Sequence, residues 1–254
     1  MAVMKGEGRN DVIFKNWSVP GRGDQFDAWL TRPDVDGRTG AVVLAHDIAG
    51  LTPSVKEFAR TLSRMGYACV VPDLYYRSGV GAGAEGIDRV DVDAVFSDGR
   101  MLADLEDAAG FLAAGNGVDH TRIGVVGIGR GGRLAMLLAA RNPYRFRCLS
   151  AVDPVLGKVE LPDGSVRARV ALDVAADLTC ATQVIVAGRS PNSDTDEVER
   201  LATDLGDRGQ VITYADAGPD FLDEDSETFD ASLAADVSGR VIGILDFTCG
   251  AHQS

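Results

Sequence analysis

Residues 122–140, RIGVVGIGRGGRLAMLLAA, constrain the fold of this chain more than any other segment. A β-branched run at residues 123–126 leads into four glycines within six positions, and apolar helix formers follow at residues 134–140. β-branched residues favour strands, clustered glycines favour tight turns, and leucine and alanine favour helices. The segment therefore predicts a strand, a sharp turn and a helix.

The predicted turn fits two different kinds of site. Residues 127–132 (GIGRGG) match G-x-Nuc-x-G, the nucleophile elbow, in which the central residue projects from a strained bend. They also match G-x-G-x-x-G, in which glycines let a pyrophosphate approach a helix N-terminus. The residue at the apex of the elbow is Gly129, which has no side chain that can attack a substrate.

Composition limits the partners that either kind of site can serve. The chain has 254 residues and is 45% apolar, so we expect a single domain over residues 1–254 with a substantial core. Its net charge of −13 disfavours nucleic acid and anionic lipid as partners. The sequence contains no run of about 18 apolar residues, so we expect no membrane span. Four scattered cysteines and an N-terminus without a signal-peptide core predict a cytoplasmic protein.

Apolar runs and helical periodicity predict an α/β architecture, a mostly parallel sheet with helices on both faces. Strands are expected at residues 12–19, 26–30, 41–45, 68–71, 123–126, 148–152, 183–187 and 211–214. Helices are expected at residues 54–65 (capped by Ser54), 101–114, 134–140, 197–205 and 226–247. Residues 78–99, rich in Gly, Asp and Ser, predict a mobile loop or lid, and residues 248–254 a tail.

Three longer blocks of the sequence carry a resemblance to a known family. They are VVLAHDIAGL (42–51), GYACVVPDLYYR (66–77) and GVVGIGRGG (124–132), and the chain resembles the dienelactone hydrolases through them. Two shorter pieces, AGRS (187–190) and GPDF (218–221), lie where that family has its catalytic acid and base. The resemblance covers residues 12–247 and implies an α/β-hydrolase-like fold.

The resemblance also implies that the catalytic triad of the family is lost. Its nucleophile position falls on Gly129 and its base position on Pro219. Its acid position falls on Ser190 or, with a slipped gap, on Asp194 or Asp196. Acyl-enzyme chemistry needs a nucleophile held against a base that a third group orients. We therefore expect no ordinary ester or lactone hydrolysis.

Other parts of the family's site are retained in the sequence. The resemblance places the oxyanion donors at the backbone N–H groups of Ile48 and Arg130, beside Gly129, and a backbone group survives the loss of a side chain. Asp47 lies where the family has a glutamate beside its nucleophile, and it equally fits a cap of the loop. A residual oxyanion hole with a neighbouring acid is therefore expected.

The resemblance gives two candidate contacts for a substrate. Arg77 matches an arginine that the family uses for a substrate carboxylate, and it equally fits a surface ion pair. Tyr75, in the same block, is the second candidate contact. The family's second substrate arginine is replaced by Asp223, which leaves the substrate class open.

Two further residues are candidates for proton transfer. Among the three histidines, only His46 follows a predicted strand at its carboxyl end, where it fits either a proton carrier or a loop histidine bonded to backbone. Asp153 ends the strand after the elbow, where it is also a candidate substrate contact, and it fits a relocated acid or an Asp-Pro turn. Asp153 also follows Gly132 at the spacing of a ribose-binding acid, but the strands and helices before the elbow disfavour an NAD(P) site. We expect no cofactor and no metal.

We therefore expect a non-hydrolytic enzyme that cyclises, isomerises or dehydrates a carbonyl-containing small molecule, with Asp47 and His46 as its acid–base groups. The first alternative is a catalytically inactive pseudoenzyme that binds a small molecule or acts as a scaffold. The second alternative is a hydrolase with displaced catalytic residues. The sequence leaves the substrate and the oligomeric state open.

Overall fold

Eight strands form one sheet in the computed structural model, which describes residues 10–78, 97–160, 164–165, 170–192 and 194–250. The strands are β1 (Val12–Pro20), β2 (Gln25–Pro33), β3 (Thr39–Ala45), β4 (Tyr67–Pro72), β5 (Val118–Ile128), β6 (Cys148–Val152), β7 (Ala181–Ala187) and β8 (Gly209–Tyr214). Their order across the sheet is β1-β2-β4-β3-β5-β6-β7-β8. The β1–β2 and β2–β4 pairs are antiparallel and all others are parallel, which confirms the predicted edge hairpin and mostly parallel sheet.

Helices cover both faces of the sheet, as predicted. They are α1 (Pro53–Arg64), α2 (Asp98–Ala114), α3 (Arg130–Arg141), α4 (Thr195–Leu205) and α5 (Ala231–Cys249), with short 3₁₀ turns at Tyr76–Ser78, Leu172–Asp177 and Gly206–Arg208. One apolar core contains buried residues of α2, α3 and α4, and the other contains those of α1 and α5. The inner strands are buried on both faces, which explains why their sequences are continuous apolar runs.

All five helices begin at residues other than those predicted, and in two of them the capping residue is the reason. Helix α1 is capped by Thr52, whose hydroxyl accepts a 3.2 Å bond from the N–H of Val55, and Pro53 takes the first helical position instead of a Ser54 cap. Helix α5 begins at Ala231 and not at residue 226, because the carboxylate of Asp230 accepts the N–H of Leu233. The same helix extends to Cys249, so the first two residues of the expected tail are helical.

The expected lid at residues 78–99 falls largely outside the described residues, which exclude 79–96. At its two ends, Ser78 belongs to a 3₁₀ turn and helix α2 begins at Asp98, three residues before the predicted start. None of the helices in the described ranges is both long enough and apolar enough to cross a bilayer.

Candidate functional site

The carboxyl ends of five parallel strands meet at a small cavity of about 20 Å³. That volume holds about one water molecule. Loops after β3, β5, β6, β7 and β8 supply its walls, as expected for an α/β sheet. The described residues that line it are Asp47, Ile128, Gly129, Val152, Asp153, Asn192, Asp220, Phe221 and Leu222.

The sharp turn between β5 and α3 has the form of a nucleophile elbow. Gly129 at its apex has φ 55° and ψ −120°, a backbone conformation that residues other than glycine rarely adopt. Its N–H donates to the carbonyl of Val152 at 2.8 Å, and its carbonyl accepts from the N–H of Arg133. Gly131 allows the close approach of two loops, because a Cβ there would overlap with the carbonyl oxygen of Ala45. The strained backbone of the elbow is therefore present without a nucleophile.

The carboxylate of Asp47 occupies the space that a nucleophile would use. A Cβ built on Gly129 would overlap with the carboxyl group of Asp47. The Oδ1 atom of Asp47 accepts a 2.8 Å hydrogen bond from the N–H of Arg130, and the N–H of Ile48 also donates to this carboxylate. The two predicted oxyanion donors are thus brought together, but they bind Asp47. The expectation of an oxyanion hole open to a substrate carbonyl is wrong for this arrangement.

Burial raises the pKa of Asp47 above its ordinary value. The N–H groups of Arg130 and Ile48 stabilise the ionised form and oppose this rise, whereas the nearby charge of Asp220 adds to it. A carboxyl group with a raised pKa is a stronger base when ionised and holds its proton to a higher pH. Asp47 is thereby suited to proton transfer.

Asp153 lies beside the position of the family's acid. Its Oδ2 accepts bonds from the hydroxyl of Ser190 at 2.7 Å and from the amide of Asn192 at 2.8 Å, and its Oδ1 accepts the N–H of Ala187. It has a φ of 47°, and burial raises its pKa. The side chain therefore does more than form an Asp-Pro turn, since it joins the ends of β6 and β7 at the cavity.

Asp220 also lines the cavity, although the sequence pattern did not single it out. It has a φ of 56° and follows Pro219, which occupies the family's base position. The carbonyl of Pro219 accepts the hydroxyl of Thr228, which fixes the loop after β8. The only sequence signal for Asp220 was its place within the block GPDF. Three acidic side chains, those of Asp47, Asp153 and Asp220, thus converge from three strand ends.

His46 does not face the cavity, and both of its ring nitrogens bond to backbone. Nδ1 lies 2.8 Å from the carbonyl of Asp47 and Nε2 accepts the N–H of Leu74 at 3.1 Å. The side chain is buried, and burial lowers its pKa. His46 is therefore a neutral link between the loops after β3 and β4. The expectation of a catalytic His46 is corrected because neither nitrogen is available to a substrate.

Of the three expected substrate contacts, Asp153 lines the cavity and the other two lie elsewhere. Arg77 donates to both carboxylate oxygens of Asp104 in α2, at 2.6 and 3.0 Å, and its guanidinium lies over the ring of Tyr76. Tyr75 is buried and its ring packs edge-on against His46 at 5.0 Å between centroids. Neither residue lines the cavity, so these two side chains support the loop after β4 and are not candidates for direct contact.

The other candidate acids and the second described histidine have structural positions. Asp194 caps helix α4 in a capping box with Glu197, and Asp196 lies in the first turn of that helix. His120 lies near the start of β5, at the opposite end of the sheet from the cavity. Within the ranges that the structure describes, no group of three or more His, Cys, Asp or Glu side chains is arranged to bind a metal ion.

Comparison with known proteins gives one family. The sequence model of the dienelactone hydrolase family matches residues 26–247. An Escherichia coli K12 protein named "Putative carboxymethylenebutenolidase" is 28% identical over 236 residues, which cover 89% of this chain and 83% of that protein. A Salmonella typhi protein of the same name is 27% identical over 215 residues, covering 80% and 76%.

Solved structures show the same fold. A crystal structure from Klebsiella pneumoniae, described as a "Putative Dienelactone Hydrolase", superposes with a TM-score of 0.82 at 24% identity. The superposition covers 93% of this chain and 99% of that one. The α/β-hydrolase-like architecture predicted from the sequence is therefore confirmed.

Proposed function

The chain belongs to the dienelactone hydrolase family, and we propose that it is a non-hydrolytic enzyme in which Asp47 moves a proton on a carbonyl-containing small molecule. In the reaction, the carboxylate of Asp47 takes a proton from a carbon next to the carbonyl group, and returns it to another atom of the same molecule. Isomerisation needs no other reactant. In a dehydration the proton returns to a hydroxyl group that leaves as water, and in a cyclisation the deprotonated carbon attacks a second carbonyl group of the same molecule, whose oxygen receives the proton.

One observation carries this proposal: the carboxylate of Asp47 replaces the missing nucleophile at the apex of the elbow. The group is held by the N–H of Arg130 and lies over Gly129, so no covalent acyl intermediate can form on the apex residue. Its raised pKa suits a group that accepts a proton and then donates it. The family scaffold thus retains an acid–base group where covalent chemistry is lost.

Backbone strain around the cavity supports an active site over a relaxed scaffold. Gly129, Asp153 and Asp220 all have positive φ values, which are sterically unfavourable for the two aspartates. Each such residue costs about 1–3 kcal/mol and persists where the surrounding structure requires it, commonly at functional sites. The convergence of three carboxyl groups adds repulsion that contributes nothing to folding.

The charges at the cavity indicate the substrate class. The described lining residues include three acidic side chains and no Lys or Arg, although the charge of Arg130 acts on Asp47 from outside this lining. Arg77, the family's candidate for binding a substrate carboxylate, is paired with Asp104. An anionic substrate would therefore meet repulsion at this site, and we infer that the substrate is uncharged or cationic.

The size of the cavity favours a second candidate function. A space of about 20 Å³ is too small for a metabolite, so turnover requires Phe221 and Leu222 to move away from Asp47. A protein in which this loop stays closed would be a non-catalytic member of the family. The second candidate is therefore a scaffold or binding protein without turnover.

The test is proton exchange in deuterated water with a panel of uncharged and cationic lactones and ketones, followed by NMR. We expect the wild-type protein to exchange or isomerise a member of the panel and the Asp47→Asn variant to lose about a hundredfold or more in rate. The matched control is Asp216→Asn, an exposed carboxylate paired with Arg189. Equal rates for Asp47→Asn and wild type would remove the acid–base proposal. Absence of exchange with every compound would favour the second candidate.

A further inference from the structure

A second, larger groove lies far from the cavity at Asp47. It has a volume of about 610 Å³ and is bounded by the β1–β2 hairpin, the start of β4 and the C-terminal end of α2. Ala68 and Val118, which line it, lie at the amino ends of the parallel strands β4 and β5, whereas Asp47 follows the carboxyl end of β3. The two sites therefore lie at opposite ends of the parallel strands. We call this space the hairpin groove.

The floor and walls of the hairpin groove are apolar. Ala68, Leu112 and Val118 are buried beneath it, and Leu30 and Phe111 form half-buried walls. Its volume lies within the range of about 300–1,000 Å³ that is typical of small-molecule sites. Such a surface favours binding of the apolar part of a ligand, because removing apolar surface from water is favourable.

Two cations border this apolar surface on the hairpin side. The register pairs Ile13 with Arg32 and Lys15 with Leu30, so the two cationic side chains are diagonal neighbours on one face of the hairpin. Their like charges repel each other, and the Nζ atom of Lys15 lies over the ring of Trp17, 3.6 Å from its centroid. Among the residues that the structure describes, neither forms an ion pair and no Asp or Glu lines the groove. In a chain of net charge −13, this is a local excess of positive charge next to an apolar trough.

We propose that the hairpin groove binds a straight-chain fatty acid of medium length. The hydrocarbon chain lies on the floor at Ala68 and Leu112, and the carboxylate is held by Lys15 and Arg32. An anionic headgroup removes the repulsion between the two cations, and an apolar tail fills the trough. An uncharged or cationic amphiphile satisfies only one of these two features. The chemistry of the groove therefore selects a carboxylate with a single hydrocarbon tail.

Isothermal titration of the full chain with decanoate, 1-decanol and decyltrimethylammonium tests this proposal. We expect decanoate to bind at one site per chain and more tightly than either matched compound. The Lys15→Gln/Arg32→Gln double variant weakens decanoate binding by about tenfold or more and leaves 1-decanol binding unchanged. Arg38→Gln, an exposed arginine outside the groove, serves as the control and leaves all three affinities unchanged. Equal affinities for decanoate and decanol, or a double variant with unchanged decanoate affinity, would overturn the proposal.

A second variant blocks the groove without touching its cations. Ala114 is an exposed lining residue at the end of α2, so Ala114→Trp fills the trough from its rim and leaves the core intact. We expect this variant to lose decanoate binding at an unchanged melting temperature, and Asp47→Asn to retain it. If decanoate does not bind and Ala114→Trp instead changes the sedimentation coefficient, the groove is an interface between two copies of the chain and the proposal fails.

Discussion

The carboxylate of Asp47 and a side chain at position 129 cannot occupy the elbow together. Gly129 has a φ of 55°, and any Cβ there would overlap with the carboxyl group that accepts the N–H of Arg130. The Asp47 carboxylate can therefore occupy this space only because residue 129 has no side chain. This relation makes the elbow testable by substitution of either residue.

Introducing a nucleophile at the elbow should destabilise the protein. We expect Gly129→Ser to lower the free energy of unfolding by about 2–4 kcal/mol, because the new side chain has both a strained φ and a steric conflict with Asp47. Removing the carboxylate in Gly129→Ser/Asp47→Gly should recover part of that loss, which urea denaturation of the double-mutant cycle measures. Gly239→Ala, at an α5 position with open space, serves as the control and should stabilise by up to about 1 kcal/mol. Additive effects of the two changes would contradict the steric account.

The pH dependence of stability should change when Asp47 is replaced by asparagine. Its pKa is raised in the folded state, mainly by burial, so its contribution is fully present below the pKa of the unfolded chain, about 3.9, and is lost as the pH rises through the folded value. The stability of the wild type relative to Asp47→Asn should therefore increase as the pH is lowered from about 7 to about 4. Chemical denaturation of both proteins across this range measures the difference. A difference that stays constant with pH would show that Asp47 titrates alike in the folded and unfolded chain.

Asp153 should be more important for stability than an exposed aspartate. Its carboxylate accepts bonds from Ser190, Asn192 and the N–H of Ala187, and the amide of Asp153→Asn would place a donor against at least one of these donors. We expect this variant to lose about 1–3 kcal/mol of unfolding free energy. Asp216→Asn, whose side chain is exposed, should change it by less than about 0.5 kcal/mol. Equal effects in thermal or urea unfolding would place Asp153 outside the network.

His46 should act on the fold and not on proton transfer. His46→Ala removes the acceptor of the Leu74 N–H, and we expect a loss of about 2–4 kcal/mol in unfolding free energy together with faster hydrogen exchange at the Leu74 amide. His46→Gln keeps an acceptor in the side chain and should lose less. A His46→Gln variant with wild-type exchange at Leu74 but no turnover would restore the catalytic role that the geometry argues against.

Arg77 should contribute through its pairing with Asp104. Lysine cannot form two parallel bonds to one carboxylate, so Arg77→Lys should cost about 1–2 kcal/mol of stability without altering the KM of any substrate found. The cycle that combines Arg77→Lys with Asp104→Asn isolates the pairing energy by urea denaturation. A rise in KM at unchanged stability would instead assign Arg77 to the substrate.

The sequence predicted the architecture because its signals are local. The apolar run of β3 and the glycines of the elbow each determine their own structure, and the family blocks give the topology. The predicted start of α5 at residue 226 was too early because residues 226–229 form a turn, in which the Thr228 hydroxyl donates to the carbonyl of Pro219, and the carboxylate of Asp230 then caps the helix. The cap is a local feature, but the apolar periodicity does not show which of several polar residues provides it.

The site was predicted in its parts and not in its arrangement. The sequence named Asp47, Arg130 and Gly129, but the direction of the Asp47 side chain depends on how two loops pack around Gly131. It left two interpretations of His46 open, and the choice depends on the N–H of Leu74, 28 residues along the chain. Asp220 lacked a signal of its own because its position, and not its residue type, brings it to the cavity.

The overlap between Asp47 and position 129 also constrains how this lineage can change. The glycine codons GGU and GGC become serine or cysteine codons through a single base change, so from either of them a nucleophile is one mutation away. The first such mutant, however, would carry the strain of the occupied elbow and still lack a histidine at Pro219. A nucleophile at position 129 therefore requires a change at position 47 as well, so we expect these two positions to vary together in sequences related to this chain.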